Sequence, residues 1–575
     1  MPQRLLTCFL LTVTMVVLTC DPSLAKTKAV TFDGLCDQAL SAIEEFYPVA
    51  SSGMGLRLHD RRFADFSSST VATAIKKMTN LRSQLNAIPE SGMTDYQKLN
   101  RKLVVSNLDV ALVDLRDIQW HKRSPQLYVD EAVNGIYYLV LNSRIPPVER
   151  LVSVLSRLRA VPGLFGTARK NLKSAPKLLN DLALENLESG SSFFQDLSSD
   201  LIRQFPDRSN EIAKAAMNAR EAMTDFQEFL RTLPAAPDST LGIGKTLYDY
   251  KLRYEYFLPF GSDSLLKLGE AQFAEADQAY REYQEQIDTR HQRGLDSVYI
   301  PEKFSRQDIL NYYDWEVEQM RIFLEMNDIV TVPDDIADVS CVQTPVFLRS
   351  MVAGIAYQSP GAFDTLGAGT FYVRPVPDSL DKIQLDARYR YVHRRGFRGS
   401  VVHEAYPGHH LQMEIAKRAP DRVRQWQNNT LMIEGWALYC EQMTYEEGLF
   451  GEEDPAQWLA ILGGIRFRSA RIIADVKIHT RQFTYDSAVA WMISALDAKT
   501  ESEKEYLRKE VRNIAVYPTI RMCYLIGKRE IMALREAIEI RDGEDFSLRT
   551  FHDNLLANGS IPPTLLWEVL GLKRP

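Results

Sequence analysis

The chain has 575 residues and only nine histidines, and three of these fall in one octapeptide, His403-Glu404-Ala405-Tyr406-Pro407-Gly408-His409-His410. A His-Glu pair at the head of such a cluster offers two groups that a zinc hydrolase needs: an imidazole for the metal and a carboxylate that polarises metal-bound water. In the usual HExxH spacing the second imidazole would stand at 407, where this chain has proline. On an unbroken helix His403 and His409 would differ by ~9 Å of rise and about 120° of rotation, and His403 and His410 by ~10.5 Å along one face. Zinc bonds of about 2.1 Å accommodate neither pair. Pro407 lacks an N–H, and its ring clashes with the carbonyl four residues back, that of His403, so the helix is expected to break here. Gly408 is expected to take the torsions that a bulge demands. With Pro407-Gly408 looped out the string contracts to His-Glu-Ala-Tyr-His, and His409 takes the ligand slot, with His410 as the alternative.

A third ligand should come from a neighbouring helix. Glu434, in MIEGWALYCEQM, follows His409 by 25 residues and sits among apolar residues, where an acid needs a partner. Glu441 shares its helix face seven residues on and is suited to orient a ligand from behind. Hydrolysis of a carbonyl also needs a donor to the developing oxyanion, worth ~3 kcal/mol of barrier. His479, four residues after Asp475, is the first candidate, because the carboxylate would fix its tautomer. Tyr524 and Tyr517 are the others. For the terminal carboxylate of a peptide, Arg374, Arg521 and Lys528 are the basic candidates. Tyr372 is a candidate for lining the cleft, against the plainer account of a buried extended segment. His393, among arginines, reads as structural or surface.

The elements that must hold these residues are mostly helical. Leu151 to Val161, Ile212 to Leu233 and Leu265 to Arg290 repeat apolar residues at three- and four-residue spacing, with Pro and Gly mostly at the joints. Extended signals are few: Phe371 to Pro375 and Val339 to Thr344, ahead of the histidine cluster, predict a small sheet flanking the catalytic helices. Residues 51–70 and 357–385 read as loop-rich, and long irregular stretches are often binding loops. The expected fold is mainly α, with an N-terminal helical region over 26–300 packed as one unit with a C-terminal region, 301–575, that carries the metal site.

Residues 1–25 have the short basic start, apolar run and small-residue ending of a signal peptide, cleaved after Ala25. Export to the periplasm or beyond follows, with lipidation at Cys20 as the weaker alternative. No transmembrane helix is expected in the mature chain. The net charge of -7 offers no basic surface for nucleic acid. Cys36, Cys341, Cys440 and Cys523 show no metal-binding spacing, and buried thiols and disulfides are both open readings.

HEAYPGHHLQ, EGWALYCE, RSARIIADVKIHTRQFTYDSAVAWM and YPTIRMCYLIGKREI together resemble the DUF885 family of predicted zinc metallopeptidases, related to the gluzincins. FYPVASSGMGLRLHDRRFADFSS, YLVLNSRIPPVERLVSVLSRLRAVPGLF and LGIGKTLYDYKLR extend the likeness over nearly all of the mature chain. The resemblance implies a large helical zincin-like metallopeptidase fold, one Zn2+ and a peptide substrate, with His403, Glu404, His409 and Glu434 at the matching positions. The chain departs from it at PTIRMCY, where many members read PGQALSY. The function expected is an exported zinc-dependent hydrolase of peptide bonds with Glu404 as general base. A hydrolase of other amides or esters, and a metal-free helical binding protein, are the alternatives.

Overall fold

The computed structural model describes residues 31–574 except 143–144, 297–304, 350–354, 365–368, 374, 378, 392–397 and 451–454. The signal segment with Cys20, Arg374 and His393 therefore lie outside the described residues.

Helices form where the apolar spacing predicts them. The three periodic stretches lie in helices Pro147–Asn171, Ser209–Thr232 and Ser262–Asp296. One departure is Pro162, which stands inside the first of these rather than at a joint. A mid-helix proline costs about 3 kcal/mol. Leu158, Val161, Leu164 and Phe165 are buried around it; at roughly 2 kcal/mol for each such side chain, they outweigh that cost. Near the site, helix Glu501–Val516 starts on a reciprocal cap, in which Thr500 accepts from the Glu503 N–H and Glu503 from the Thr500 N–H.

The largest apolar cluster among the described residues takes buried side chains from Leu35 to Trp567. Helix Ser262–Asp296 packs along helix Pro455–His479, where a side chain at Gly269 would stand 2.8 Å from Ile472. A second apolar cluster includes Leu431, Leu438, Ile472, Val476 and Leu525.

Both segments predicted as extended contain strand residues. Ser340–Gln343 runs parallel to Thr370–Val373, with Cys341 opposite Phe371. A third strand that the sequence pattern does not predict, Ile355–Gln358, adds antiparallel to Thr370–Val373, with Tyr357 opposite Phe371. Another small sheet pairs Ala175–Pro176 with Ala235–Ala236. The fold is mainly α with small sheets. Cys36, Cys341, Cys440 and Cys523 are buried free thiols. Among the described residues no helix is long and apolar enough to cross a membrane.

Candidate metal centre

The helix carrying His403 ends where Pro407 requires. Helix Arg398–Glu404 stops, four residues intervene, and helix His409–Ala416 begins. Gly408 takes φ -64° and ψ -135°, outside the helical and extended regions, as expected of it; in addition, a Cβ there would lie 1.9 Å from the His403 carbonyl oxygen. Glycine is required for space, so that the second helix can start against the end of the first. Trp436 Nε1 donates to the Pro407 carbonyl at 2.8 Å, tying this break to helix Thr430–Glu446, two residues beyond Glu434.

Three ligand atoms converge as a result. One nitrogen each of His403 and His409 and one oxygen of Glu434 all lie within 4.8 Å of one another. Glu434 Oε2 is 3.6 Å from both His403 Nε2 and His409 Nε2, and it is buried with no hydrogen-bond partner. That spacing is too long for a hydrogen bond, whereas two ligands at ~2.1 Å from a tetrahedral ion stand ~3.4 Å apart. The residues therefore fit a small divalent cation. Behind them His403 Nδ1 donates to Glu441 Oε1 at 2.8 Å, which leaves its Nε2 lone pair facing inward. His409 has no such support: its Nδ1 is buried without a partner.

The electrostatics show the same appetite for positive charge. Burial opposes a charged His403, but Glu434 and Glu441 outweigh it and push the imidazole up to about 10. Burial and the neighbouring His403 pull His409 down to about 4. Burial would raise Glu434, yet His403 and His409 hold it at about 2. Glu404 makes no hydrogen bond or ion pair among the described residues, and burial, against the pull of His403, shifts its carboxyl upward.

Comparison with known proteins bears on the whole chain. Residues 48–570 match the family described as a bacterial protein of unknown function (DUF885). The chain belongs to the DUF885 family. Its fold is similar to that of a candidate lipoprotein of unknown function from Shewanella oneidensis, with TM-score 0.73 at 20% identity over 94% of this chain and 100% of that one. A candidate lipoprotein from Colwellia psychrerythraea has TM-score 0.75 at 17% identity, over 94% and 99%. No curated protein matches.

In this DUF885 chain the other predicted residues divide. Tyr524 joins the cluster: burial and the adjacent Glu434 push its phenol up to about 12. The approach is possible because helices Thr430–Glu446 and Cys523–Asp542 meet glycine to glycine, where a Cβ on Gly435 would lie 2.5 Å from Gly527 Cα. His410 does not join. Its Nδ1 shares a 2.8 Å hydrogen bond with the Tyr357 hydroxyl, fastening the small sheet to helix His409–Ala416.

His479 is a correction. It is fully buried, its Nε2 donates to the Ile514 carbonyl at 2.8 Å, and burial pulls it down to about 4. An imidazole so committed has no N–H to offer an oxyanion. Asp475 does lie 3.5 Å from it, but its oxygens accept from the Tyr248 hydroxyl at 2.8 Å and the Thr519 N–H at 3.3 Å. Asp475 thus holds the turn before Tyr524. In that turn Thr519, the second residue of PTIRMCY, adopts φ +69°, a left-handed backbone that favours glycine. Tyr517 is another correction, 43% exposed with its hydroxyl on Asp130 Oδ2 at 3.3 Å. Tyr372 is buried in the apolar core rather than lining a cleft. Arg521 pairs with Glu510 at 3.3 Å. Lys528 is buried and donates to Gln442 Oε1.

Trp436, Tyr357, Arg468 and Arg471 also stand at or beside the cluster and are not among the residues expected there. Trp436 had a signal in its place directly after Glu434-Gly435. The arginines had none beyond their three-residue spacing.

Proposed function

We propose that this protein is an exported, metal-dependent hydrolase of peptide bonds, in which His403, His409 and Glu434 hold one divalent ion, zinc by ligand type. The observation that carries the reading is the orphaned Glu434 Oε2 midway between two imidazole nitrogens at 3.6 Å. When bound, such an ion supplies Lewis acidity to a carbonyl and lowers the pKa of water to about 7. Glu404, next to His403 in sequence, has a carboxylate free of hydrogen bonds among the described residues and shifted toward neutrality. It is the general base that takes the proton of the attacking water and passes it to the leaving amine. The Tyr524 hydroxyl steadies the oxyanion, in place of His479. Glu441 keeps the His403 tautomer with the proton on Nδ1. A peptide as substrate rests on the family resemblance, and export on the signal-like residues 1–25. The description of two similar folds as candidate lipoproteins supports export and keeps anchorage through Cys20 as its second form.

The test is elemental analysis of the purified chain with a peptide-library assay, on wild type and Glu404→Gln. About one zinc per chain in both is expected, with turnover lowered about 10²–10⁴-fold in the variant. Metal-free protein that stays inactive on zinc addition, or an unimpaired Glu404→Gln enzyme, would sink the reading.

A further inference from the structure

Three arginines gather beside Tyr524. Arg468 and Arg471 stand one turn apart on helix Pro455–His479, and Arg521 comes from the turn before helix Cys523–Asp542. The guanidinium carbon of Arg471 lies 4.4 Å from the Tyr524 ring centroid and that of Arg468 5.7 Å. Two of the three share one carboxylate. Arg471 Nε and Arg521 Nε face one oxygen, Glu510 Oε1, at 3.0 and 3.3 Å, at angles that form no hydrogen bond. Arg468 reaches Glu441 Oε1 at 3.4 Å, but that oxygen already receives His403. The Nε atoms of all three arginines are buried without a hydrogen-bond partner.

Arg471 is only 6% exposed, and neither it nor Arg521 makes any hydrogen bond among the described residues. Of the five N–H donors of each guanidinium, the Nε is the one buried without a partner, and a buried donor left unpaired costs about 1–3 kcal/mol. Stacking on Tyr524 accounts for the face of Arg471, at about 0.5–2 kcal/mol, but the donors lie in the guanidinium plane and stacking leaves them unmet. Two planar forks with one badly aligned carboxylate between them lack an acceptor, and a second carboxylate matches their geometry.

We infer that Arg471 and Arg521, flanked by Arg468, form a carboxylate-binding subsite one tyrosine ring from Glu434, and that the substrate is a peptide presenting a carboxylate there. For cleavage this rests on the hydrolase reading above; for binding it does not. The carboxylate comes from the peptide C-terminus or from an acidic side chain, and the experiment separates the two.

Three peptides of one sequence are compared on the metal-loaded full chain: one with a neutral last residue and a free carboxylate, one with the same residue as carboxamide, and one carboxamide ending in glutamate. At least one carboxylate peptide is expected to exceed the neutral carboxamide about tenfold in kcat/KM, through KM, and the one that does identifies the source. In Arg521→Ala, a substitution at the partly exposed edge of the cluster, the ratio should fall toward one. Arg471→Gln repeats the comparison from the buried side. Calorimetric titration of Glu404→Gln protein with the same peptides reads affinity without turnover. Equal affinity for carboxylate and carboxamide peptides, or a preference untouched in Arg521→Ala, overturns the subsite. A carboxylate preference in binding that depends on Arg521, with no cleavage by wild type, upholds the subsite while the hydrolase reading fails.

Discussion

His403, His409 and Glu434 on one side and His479 with Asp475 on the other are both groupings of imidazole and carboxylate on helices, and both are largely buried. They differ in what meets their polar atoms. In the second pair protein meets every polar atom but His479 Nδ1: His479 Nε2 donates to a backbone carbonyl, and the Asp475 oxygens receive a tyrosine hydroxyl and a backbone N–H. The first turns two imidazole nitrogens and a carboxylate oxygen toward one another within 4.8 Å, and the oxygen has no hydrogen-bond partner. Converging acceptors in a protein interior are costly unless a positive charge joins them. The basicity of His403 expresses this, because without a cation the cluster recruits a proton. Seclusion alone therefore marks neither; the direction of the unpaired electron pairs does.

Substitution should separate the two groupings most sharply at their imidazoles. Four-ligand zinc sites bind with about 10–16 kcal/mol, so one ligand is worth on the order of 3 kcal/mol, or 10²–10³-fold. His409→Ala should lose zinc affinity by that factor in a chelator competition titration, with little change in the thermal stability of the metal-free protein. His479→Ala should do the reverse. It keeps zinc, but opens a cavity and orphans the Ile514 carbonyl, at about 2–5 kcal/mol of stability. If His479→Ala weakens zinc binding as much as His409→Ala does, the contrast is broken.

The same contrast explains what is legible before folding. The proline at 407 forbids a continuous helix, so the approach of His403 to His409 can be read from one octapeptide. Gly408 is half legible: its unusual torsions follow from the break, whereas the nearness of the His403 carbonyl, a contact between two helix ends, does not show in the sequence. His479 is misread because a four-residue spacing from Asp475 looks the same in a site and in a core. Only the Ile514 carbonyl, supplied by another helix, decides between them. The helices at 151–161, 212–233 and 265–290 carry their apolar spacing locally. The strand at Ile355–Gln358 owes its state to pairing with Thr370–Val373 and has no local signal to match. Arg471 acquires its meaning where three helices meet, beyond the reach of spacing on any one of them.

A smaller effect tests the support behind the ligands. Glu441→Gln exchanges the carboxylate that receives His403 Nδ1 for a weaker acceptor, and zinc affinity should fall about ten- to hundredfold. Asp475→Asn, the matching change in the closed pair, should leave it unchanged. Equal losses in the two variants would mean that Glu441 acts only through general packing.

The smallest effect concerns pH, and it follows from counting protons. Burial moves Asp475 up to about 7 and His479 down to about 4, against about 3.9 and 6.5 in an unfolded chain. Between about pH 4 and 6.5 the folded pair holds one proton, on the carboxyl, and the unfolded chain also holds one, on the imidazole, so the pair adds no slope to stability. Asp475→Asn removes the compensation. The folded His479 then stays neutral while the unfolded one takes up a proton below about pH 6.5. A depressed folded pKa makes this contribution present above the unfolded value and lost as pH falls toward about 4, at about 1.4 kcal/mol per pH unit. Urea unfolding midpoints of Asp475→Asn should therefore drop progressively relative to wild type from pH 6.5 to pH 4.5. Parallel profiles would mean that Asp475 titrates in the folded chain as it does in water. The carboxyl would then be reached by solvent, and the distinction between a closed pair and an open cluster would no longer hold.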